Sequence, residues 1–366
     1  MKILTLAVPT YNMEPYLEKC VRSCMCDNKH LLEVLIVNDG STDGSSTIAH
    51  KLQSEYPEIV TVIDKENGNY GTCVNRAISE AQGKYFRMLD ADDWANTDAL
   101  NSLLDKLQTC DADCIVTISE DYVLGNELMQ RLGPPSTVEI GKVYDAQQFD
   151  GIEMKFDDLY CSHIITYKTE ILRDIHLHLQ AGISYTDNEY VFYPLDKIKS
   201  IIFYDLPIYQ YYLGRPGAST ENVTDPIKIP KKQHQMWQVL KGLFEYFYLH
   251  FNETPEAVRN NQRIMIAEMV RWIYPHSLKY YNDGGGDEDL IKEIQPYVMK
   301  DAILEERVRS LVNKDLRFQP INWYEHLRRT GKVKNYTPIY DWYMTYEMTK
   351  LKFEILKGKI RNLING

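Results

Sequence analysis

Residues 85–94 read Tyr85-Phe86-Arg87-Met88-Leu89-Asp90-Ala91-Asp92-Asp93-Trp94, an apolar run that predicts a buried strand and ends in three carboxylates and a tryptophan. A strand delivering Asp90 and Asp92 to its carboxyl end puts two acidic groups where open α/β sheets bind ligands. Like charges this close are costly unless a cation neutralises them. The pair therefore points to a divalent metal.

Three more segments carry ligand-type residues just past an apolar run: Val8-Pro9-Thr10-Tyr11-Asn12, Val37-Asn38-Asp39-Gly40-Ser41-Thr42-Asp43 and Asp64-Lys65-Glu66-Asn67-Gly68-Asn69. Singly, each has a plainer reading. Asp39-Gly40 suits a turn, with Thr42 or Asp43 capping the next helix. Asn67-Gly68 is a turn signal, and Asp90 to Asp93 could cap a helix beginning near Thr97. Capping does not explain why all four ends are polar.

The elements that must position these residues follow from periodicity. Ile3–Val8, Leu32–Val37, Ile59–Ile63, Tyr85–Leu89 and Cys114–Ile118 are short apolar runs. Glu14–Cys24, Ser45–Tyr56, Tyr70–Ala81 and Thr97–Leu107 between them have helical length and spacing. The alternation predicts an α/β fold with a mostly parallel sheet and helices on both faces, so the four polar ends converge on one crevice. Residues 121–160 lack a sustained period and predict loops or short antiparallel strands. Further strands are expected at His163–Tyr167, Ile201–Tyr204 and Ile208–Leu213, with a helix opening in Asn188–Leu195. From Ile229 the pattern turns helical: Trp237, Leu240, Leu243, Phe244, Phe247 and Phe251 recur at spacings of three and four. We expect a first domain over 1–225 and a helical second domain over 226–366.

Composition excludes several classes. A net charge of −11 over 366 residues argues against a nucleic-acid binder. The seven cysteines are odd in number and without framework spacing, which points to a reducing, cytoplasmic compartment. Cys20, Cys24 and Cys26 read as buried helix thiols rather than zinc ligands, and His176 and His178 as solvated histidines. No run of about 18 apolar residues occurs. Lys350, Lys352, Lys357, Lys359 and Arg361 form a basic tail that suits either an ordinary docking helix or peripheral contact with the inner face of an anionic membrane.

As an ordered set, Val-Pro-Thr-Tyr-Asn, Asn-Asp-Gly-Ser-Thr-Asp and the terminal Asp-x-Asp-Asp resemble the inverting GT-A glycosyltransferases of family 2, including those that build bacterial wall and capsular polysaccharides and glycosylate wall teichoic acid. The resemblance covers residues 3–220. It implies a Rossmann-like GT-A domain, a UDP-sugar donor, Mn²⁺ or Mg²⁺, and an acceptor hydroxyl on a surface glycan or lipid-linked precursor. Carried over residue by residue, Pro9 and Tyr11 line the nucleobase pocket, Asp39 accepts the uracil imide hydrogen, and Asn67 and Arg76 lie near the base and diphosphate. Asp90 and Ala91 contact the donor, and Asp92 holds the metal.

Relatives carry Ala-Arg-Asn in the third helix where this chain has Cys73-Val74-Asn75-Arg76, so Arg76 also reads as an exposed helix-face arginine. Inverting transfer needs a general base. The stretch Ile183 to Phe192 resembles the family's Glu-Asp-x-x-Phe, with Thr186 in place of Glu and Asp187 as the base. Glu189 is the alternative base, and Asp187 also suits a helix N-cap. Tyr211 to Thr220 resembles a segment that closes over the diphosphate, with Arg215 contacting it. The helical domain would bind acceptor, form a homo-oligomer, or both. Two other classes stay open: a non-catalytic carbohydrate-binding or nucleotide-binding scaffold, and a sugar nucleotidyltransferase, although no glycine-rich phosphate loop follows the first strand.

Overall fold

The computed structural model describes residues 1–123, 127–154, 161–215, 228–279, 288–315 and 330. Its first half alternates β1 (Leu4–Thr10), α1 (Leu17–Ser23), β2 (Leu32–Asn38), α2 (Ser45–Glu55), β3 (Val60–Asp64), α3 (Tyr70–Glu80) and β4 (Tyr85–Met88). A two-residue strand β5 (Trp94–Ala95) and α4 (Thr97–Leu107) follow. Every residue of β1 and β2 is buried, as parallel strands covered by helices on both faces must be. Asn96 caps α4, its side chain accepting from the Ala99 N–H, so the acidic run ahead of it is not that cap.

The remaining elements are β6 (Cys114–Val123), β7 (Glu127–Leu132), β8 (Val143–Asp145), β9 (Ile165–Lys168), α5 (Thr169–Asp174), α6 (Asp187–Phe192) and β10 (Ser200–Leu213). The sheet runs β3-β2-β1-β4-β9-β6-β10-β5, with β7 on β6 and β8 on β10. The β3, β2, β1 and β4 strands are mutually parallel. Beyond them the β4–β9, β9–β6, β6–β7 and β10–β5 pairs are antiparallel. The parallel sheet thus occupies the portion built by helical crossovers.

Two compact units divide the chain: residues 1–212 with 254–258, and 213–253 with 259 onward. The expected boundary near 225 falls outside the described residues. The second unit is helical, with α7 (Lys228–Leu249), α8 (Glu256–Lys279), α9 (Glu288–Val298) and α10 (Ala302–Asp315). Leu240, Leu243, Phe244 and Phe247 of α7 are buried, as their spacing requires. Buried Arg263 pairs with buried Asp301 at 2.7 Å, and Asp301 also accepts from Leu304 N–H at the start of α10. The basic segment 350–361 lies outside the described residues. Among the described residues no helix is long and apolar enough to cross a membrane.

Candidate active site

Register aligns the strand ends. Thr10 of β1 sits opposite Asn38 of β2, and Asn38 opposite Asp64 of β3. Tyr11, Asp39 and Lys65 therefore stand side by side one step past the sheet, with neighbouring strands about 4.8 Å apart. On the other flank Ala7 pairs with Met88 of β4, which carries Asp90 and Asp92 to the same edge.

The loops at this edge brace one another. Asn12, at φ 53°, donates its N–H to Ser41 Oγ and accepts from Thr42 N–H at 2.8 Å. Glu14 accepts from Gly44 N–H, and Asp43 from Glu14 N–H. Tyr11 is left 47% exposed, its ring available for stacking, beside buried Pro9. Asp39 is 3% exposed and heavily engaged: Oδ1 accepts from Lys65 Nζ and Gly68 N–H, and Oδ2 from Asn69 N–H at 2.9 Å. Asn67 donates to the Asp39 carbonyl at 3.0 Å.

Around Asp90 a second cluster forms. Tyr70, at the start of α3, donates its hydroxyl to Asp90 Oδ1 at 2.9 Å. Tyr209 of β10 accepts from Asp90 N–H and donates to Asp93 Oδ2 at 2.5 Å, while Tyr212 N–H donates to Asp93 Oδ1 at 2.7 Å. Asp93 thereby fastens β10 to the acidic loop. His163, in the turn entering β9, stacks on Tyr209 with centroids 4.1 Å apart, and its Nε2 lies 3.8 Å from Asp90 Oδ2. Fully buried Arg87 fixes that turn, donating to Thr117, Thr166 and the His163 carbonyl.

Charge is distributed unevenly over these groups. Burial pushes Asp90 up, but pairing with His163 and the hydroxyls of Tyr70 and Tyr209 outweigh it and hold the carboxyl below its ordinary range. Burial, then repulsion from Asp92 and Asp90, drives Asp93 well up. Burial works to lower His163, but Cys161 and Asp90 beside it win and raise it. Burial also raises Asp187, partly offset by the charge of His163.

Asp187 is half-buried and opens α6; its N-cap is Thr186, which makes no side-chain cap. Two clamps set the preceding loop. Asn75 exchanges hydrogen bonds with the Leu179 backbone, both at 2.8 Å. Glu189 accepts from Gln180 N–H and Nε2, both at 2.8 Å. Both Glu189 oxygens are thus held by the loop. Gly71 lets α3 approach, since a Cβ there would lie 2.3 Å from the Gln180 carbonyl oxygen.

Asp90, Asp93 and His163 offer ligand atoms all within 4.8 Å of one another. The 3.8 Å gap between Asp90 and His163 is long for a hydrogen bond but suits two ligands of one cation, with bonds of about 2.1 Å. Two carboxylates and an imidazole fit a first-row divalent ion. Asp92, the sequence-expected ligand, is half-buried on the same loop, and Ala91 is buried.

Arg76 lies on the exposed face of α3, paired with Glu80 at 2.9 Å. Arg215 is buried and belongs to the second unit. His176 and His178 are exposed, as expected; Cys20, Cys24 and Cys26 are buried free thiols, but only Cys20 lies within α1, Cys24 being its C-cap and Cys26 following it. His163, Tyr70, Tyr209 and Lys65 were not singled out by sequence. For His163 a signal existed: a strand antiparallel to β4 begins where β4 ends, so the residues entering it also reach the crevice.

Residues 5–175 match the glycosyl transferase family 2 profile. A domain similar to that family thus occupies residues 5–175. The chain is 34% identical over 113 residues to glycosyltransferase GlyA of Streptococcus pneumoniae, a match covering 31% of this chain and 16% of that protein. It is 36% identical over 102 residues to the chondroitin synthase of Pasteurella multocida, covering 28% and 10%. The chain thus spans only a small part of the length of these relatives. S. aureus TarS 1–349, solved with UDP-GlcNAc, shares the fold at TM-score 0.62 and 18% identity, covering 91% of this chain and 93% of that one.

Proposed function

We propose that the chain is a metal-dependent inverting glycosyltransferase that moves a sugar from a UDP-sugar to a hydroxyl of a surface glycan or a lipid-linked glycan precursor. The observation that carries this reading is the pairing of Asp90, held ionised, with a separate, half-buried Asp187 whose affinity for a proton is raised. One carboxylate is thus suited to bind a cation and the other to take a proton.

Tyr11 stacks on the base, and Asp39 with Asn67 organises the loop that flanks it. Asp92, the ligand expected from the sequence, with the Asp90, Asp93 and His163 cluster, would hold Mn²⁺ or Mg²⁺, which would neutralise charge on the leaving diphosphate. Asp187 accepts the proton of the acceptor hydroxyl as its oxygen attacks the anomeric carbon. The bond from that carbon to the diphosphate oxygen breaks, and UDP departs. Tyr70 and Tyr209 stay protonated, because burial and then Asp90 push both phenols up, and so they keep the Asp90–Asp93 loop in place. Arg76 and Arg215 are proposed diphosphate contacts, and the buried free thiols support a cytoplasmic setting. A domain boundary near 225, acceptor binding or oligomerisation by the helical unit, and membrane contact through the basic tail belong to the same proposal.

A screen of UDP-sugars for cation-dependent release of UDP tests this reading. Hydrolysis of one sugar, lost in Asp92→Ala, is expected. Binding of UDP-sugars with no hydrolysis and no transfer to any glycan would favour the scaffold, and release of pyrophosphate a nucleotidyltransferase.

A further inference from the structure

Thr117, Ser119 and Asp121 alternate along β6 and so share one face of that strand. All three are buried, Asp121 to 5% exposure. The Thr117 hydroxyl is engaged, accepting from Arg87 and donating to the Ile164 carbonyl. Asp121 Oδ2 accepts from Gln130 Nε2 at 2.7 Å. Ser119 Oγ and Asp121 Oδ1, by contrast, have no hydrogen-bond partner among the described residues. An unpaired buried polar atom costs about 1–3 kcal/mol, so two on one strand face point to a ligand that supplies their bonds.

Register places the pair. Phe86 of β4 faces Tyr167 of β9, and Tyr167 faces Cys114 of β6. Four residues on, the same row brings Asp90, His163 and Ile118 level. Ser119 and Asp121 therefore stand just past the Asp90, Asp93 and His163 cluster, and the strand order puts them on its far side from Tyr11 and Asp39. Opposite the step from Asp121 to Tyr122, β7 carries an extra residue, Met129, a bulge of the kind that re-aims side chains beside active sites. Electrostatics agree with the register. Burial raises the Asp121 carboxyl, and the charge of His163 works against that rise. Tyr211, its ring 5.0 Å from that of His163, is pushed up by burial and then by Asp93, Asp90, Asp92 and Asp121.

A hard cation takes about six oxygen ligands, more than one carboxylate and one hydroxyl supply. An acceptor glycan is an extended chain that enters from solvent, whereas these atoms are buried. The sugar of a nucleotide donor is small, is carried in beside the metal by its diphosphate, and bears hydroxyls that each donate and accept. We infer that Ser119 and Asp121 form a hydroxyl-binding subsite for the transferred sugar, Asp121 Oδ1 accepting from one hydroxyl and Ser119 Oγ bonding a second. This rests on the UDP-sugar reading above and deepens it: the cation and Asp187 serve any sugar, and Ser119 and Asp121 choose among them.

The test is calorimetric binding to the full chain in Mn²⁺ of UDP, of the UDP-sugar selected by the hydrolysis screen, and of its forms lacking one sugar hydroxyl at a time, for the wild type, Asp121→Asn and Ser119→Ala. In Asp121→Asn the amide oxygen can keep the bond from Gln130 while the NH₂ replaces Oδ1, turning an acceptor into a donor. The wild type should bind one deoxy form about tenfold or more weaker than the parent, the loss of a charge-assisted hydrogen bond. Asp121→Asn should bind the parent about tenfold weaker, that deoxy form with no further loss, and UDP within about threefold of wild type. Ser119→Ala should bind the parent about threefold or more weaker, with the loss absent on a different deoxy form and UDP affinity kept. A pair that only supports β6 would alter UDP and UDP-sugar together, and a wild-type ratio of the two affinities in both variants would overturn the inference, whether the atoms then face acceptor or water. Should Asp121→Asn lose UDP as well, Ser119→Ala decides on the same ratio. A screen that selects no UDP-sugar would instead refute the donor reading itself.

Discussion

Replacing Tyr70 by phenylalanine removes one hydroxyl from beneath the acidic loop and leaves the ring. That hydroxyl donates to Asp90 Oδ1 at 2.9 Å, and Asp90 is held below the ordinary carboxylate range by such contacts against the opposing effect of burial. A hydrogen bond to a charged group contributes about 1.5–3 kcal/mol. Tyr70→Phe should therefore destabilise the protein by that amount at neutral pH. The sign with pH follows from linkage: a carboxyl whose folded pKa is depressed stabilises above its unfolded pKa, about 3.9, and that contribution disappears as pH falls through the folded value. The difference between wild type and Tyr70→Phe should thus be constant from pH 7 to about 5 and shrink below about 4. Urea unfolding in EDTA, followed by tryptophan fluorescence, measures it, because Trp94 packs against Tyr122 and Tyr212 in the same unit. A double-mutant cycle with Asp90→Asn isolates the pair. Additivity within about 0.5 kcal/mol, or a destabilisation that does not change with pH, would refute the assignment.

Other consequences are as direct. Asp187 is raised by burial and must be ionised to act, so kcat/KM should fall as pH drops through its elevated pKa; His163 opposes that rise, and His163→Gln should move the acid limb to higher pH. A limb that stays put or moves down would separate His163 from the base. Gly71→Ala should cost about 1–3 kcal/mol in urea unfolding, since the added methyl meets the Gln180 carbonyl oxygen, and a change under about 0.5 kcal/mol would show that the 178–182 loop yields freely.

The part of the site legible in the sequence is the part made by local chemistry. Each parallel strand announces itself by a short, largely apolar run, and the residues past it fall at the sheet edge, so Tyr11, Asp39, Asn67 and Asp90 were placed by pattern alone. What was hidden depends on pairings between distant segments. His163 and Tyr209 reach Asp90 only because β9 and β10 enter the sheet antiparallel, and nothing within either segment states its partner. Asp39 shows a second kind of concealment. Its position was legible, but not that three donors from the β3–α3 loop already engage it. Glu189 sits two residues from Asp187, and nothing in the sequence states that Gln180 holds both its oxygens. The helical unit was legible as helices from its spacing of three and four, which records burial and says nothing of ligands.

On the proposed mechanism Asp187 takes the acceptor proton while a separate acidic loop holds the donor. Its most direct test compares wild type with Asp187→Asn, in Mn²⁺, for calorimetric binding of UDP and for UDP release from the sugar donor found by screening, with acceptor glycan present. We expect UDP affinity within about threefold of wild type and turnover reduced by about 100-fold or more, the usual contribution of a general base. Full turnover by Asp187→Asn, with binding intact, would contradict the assignment.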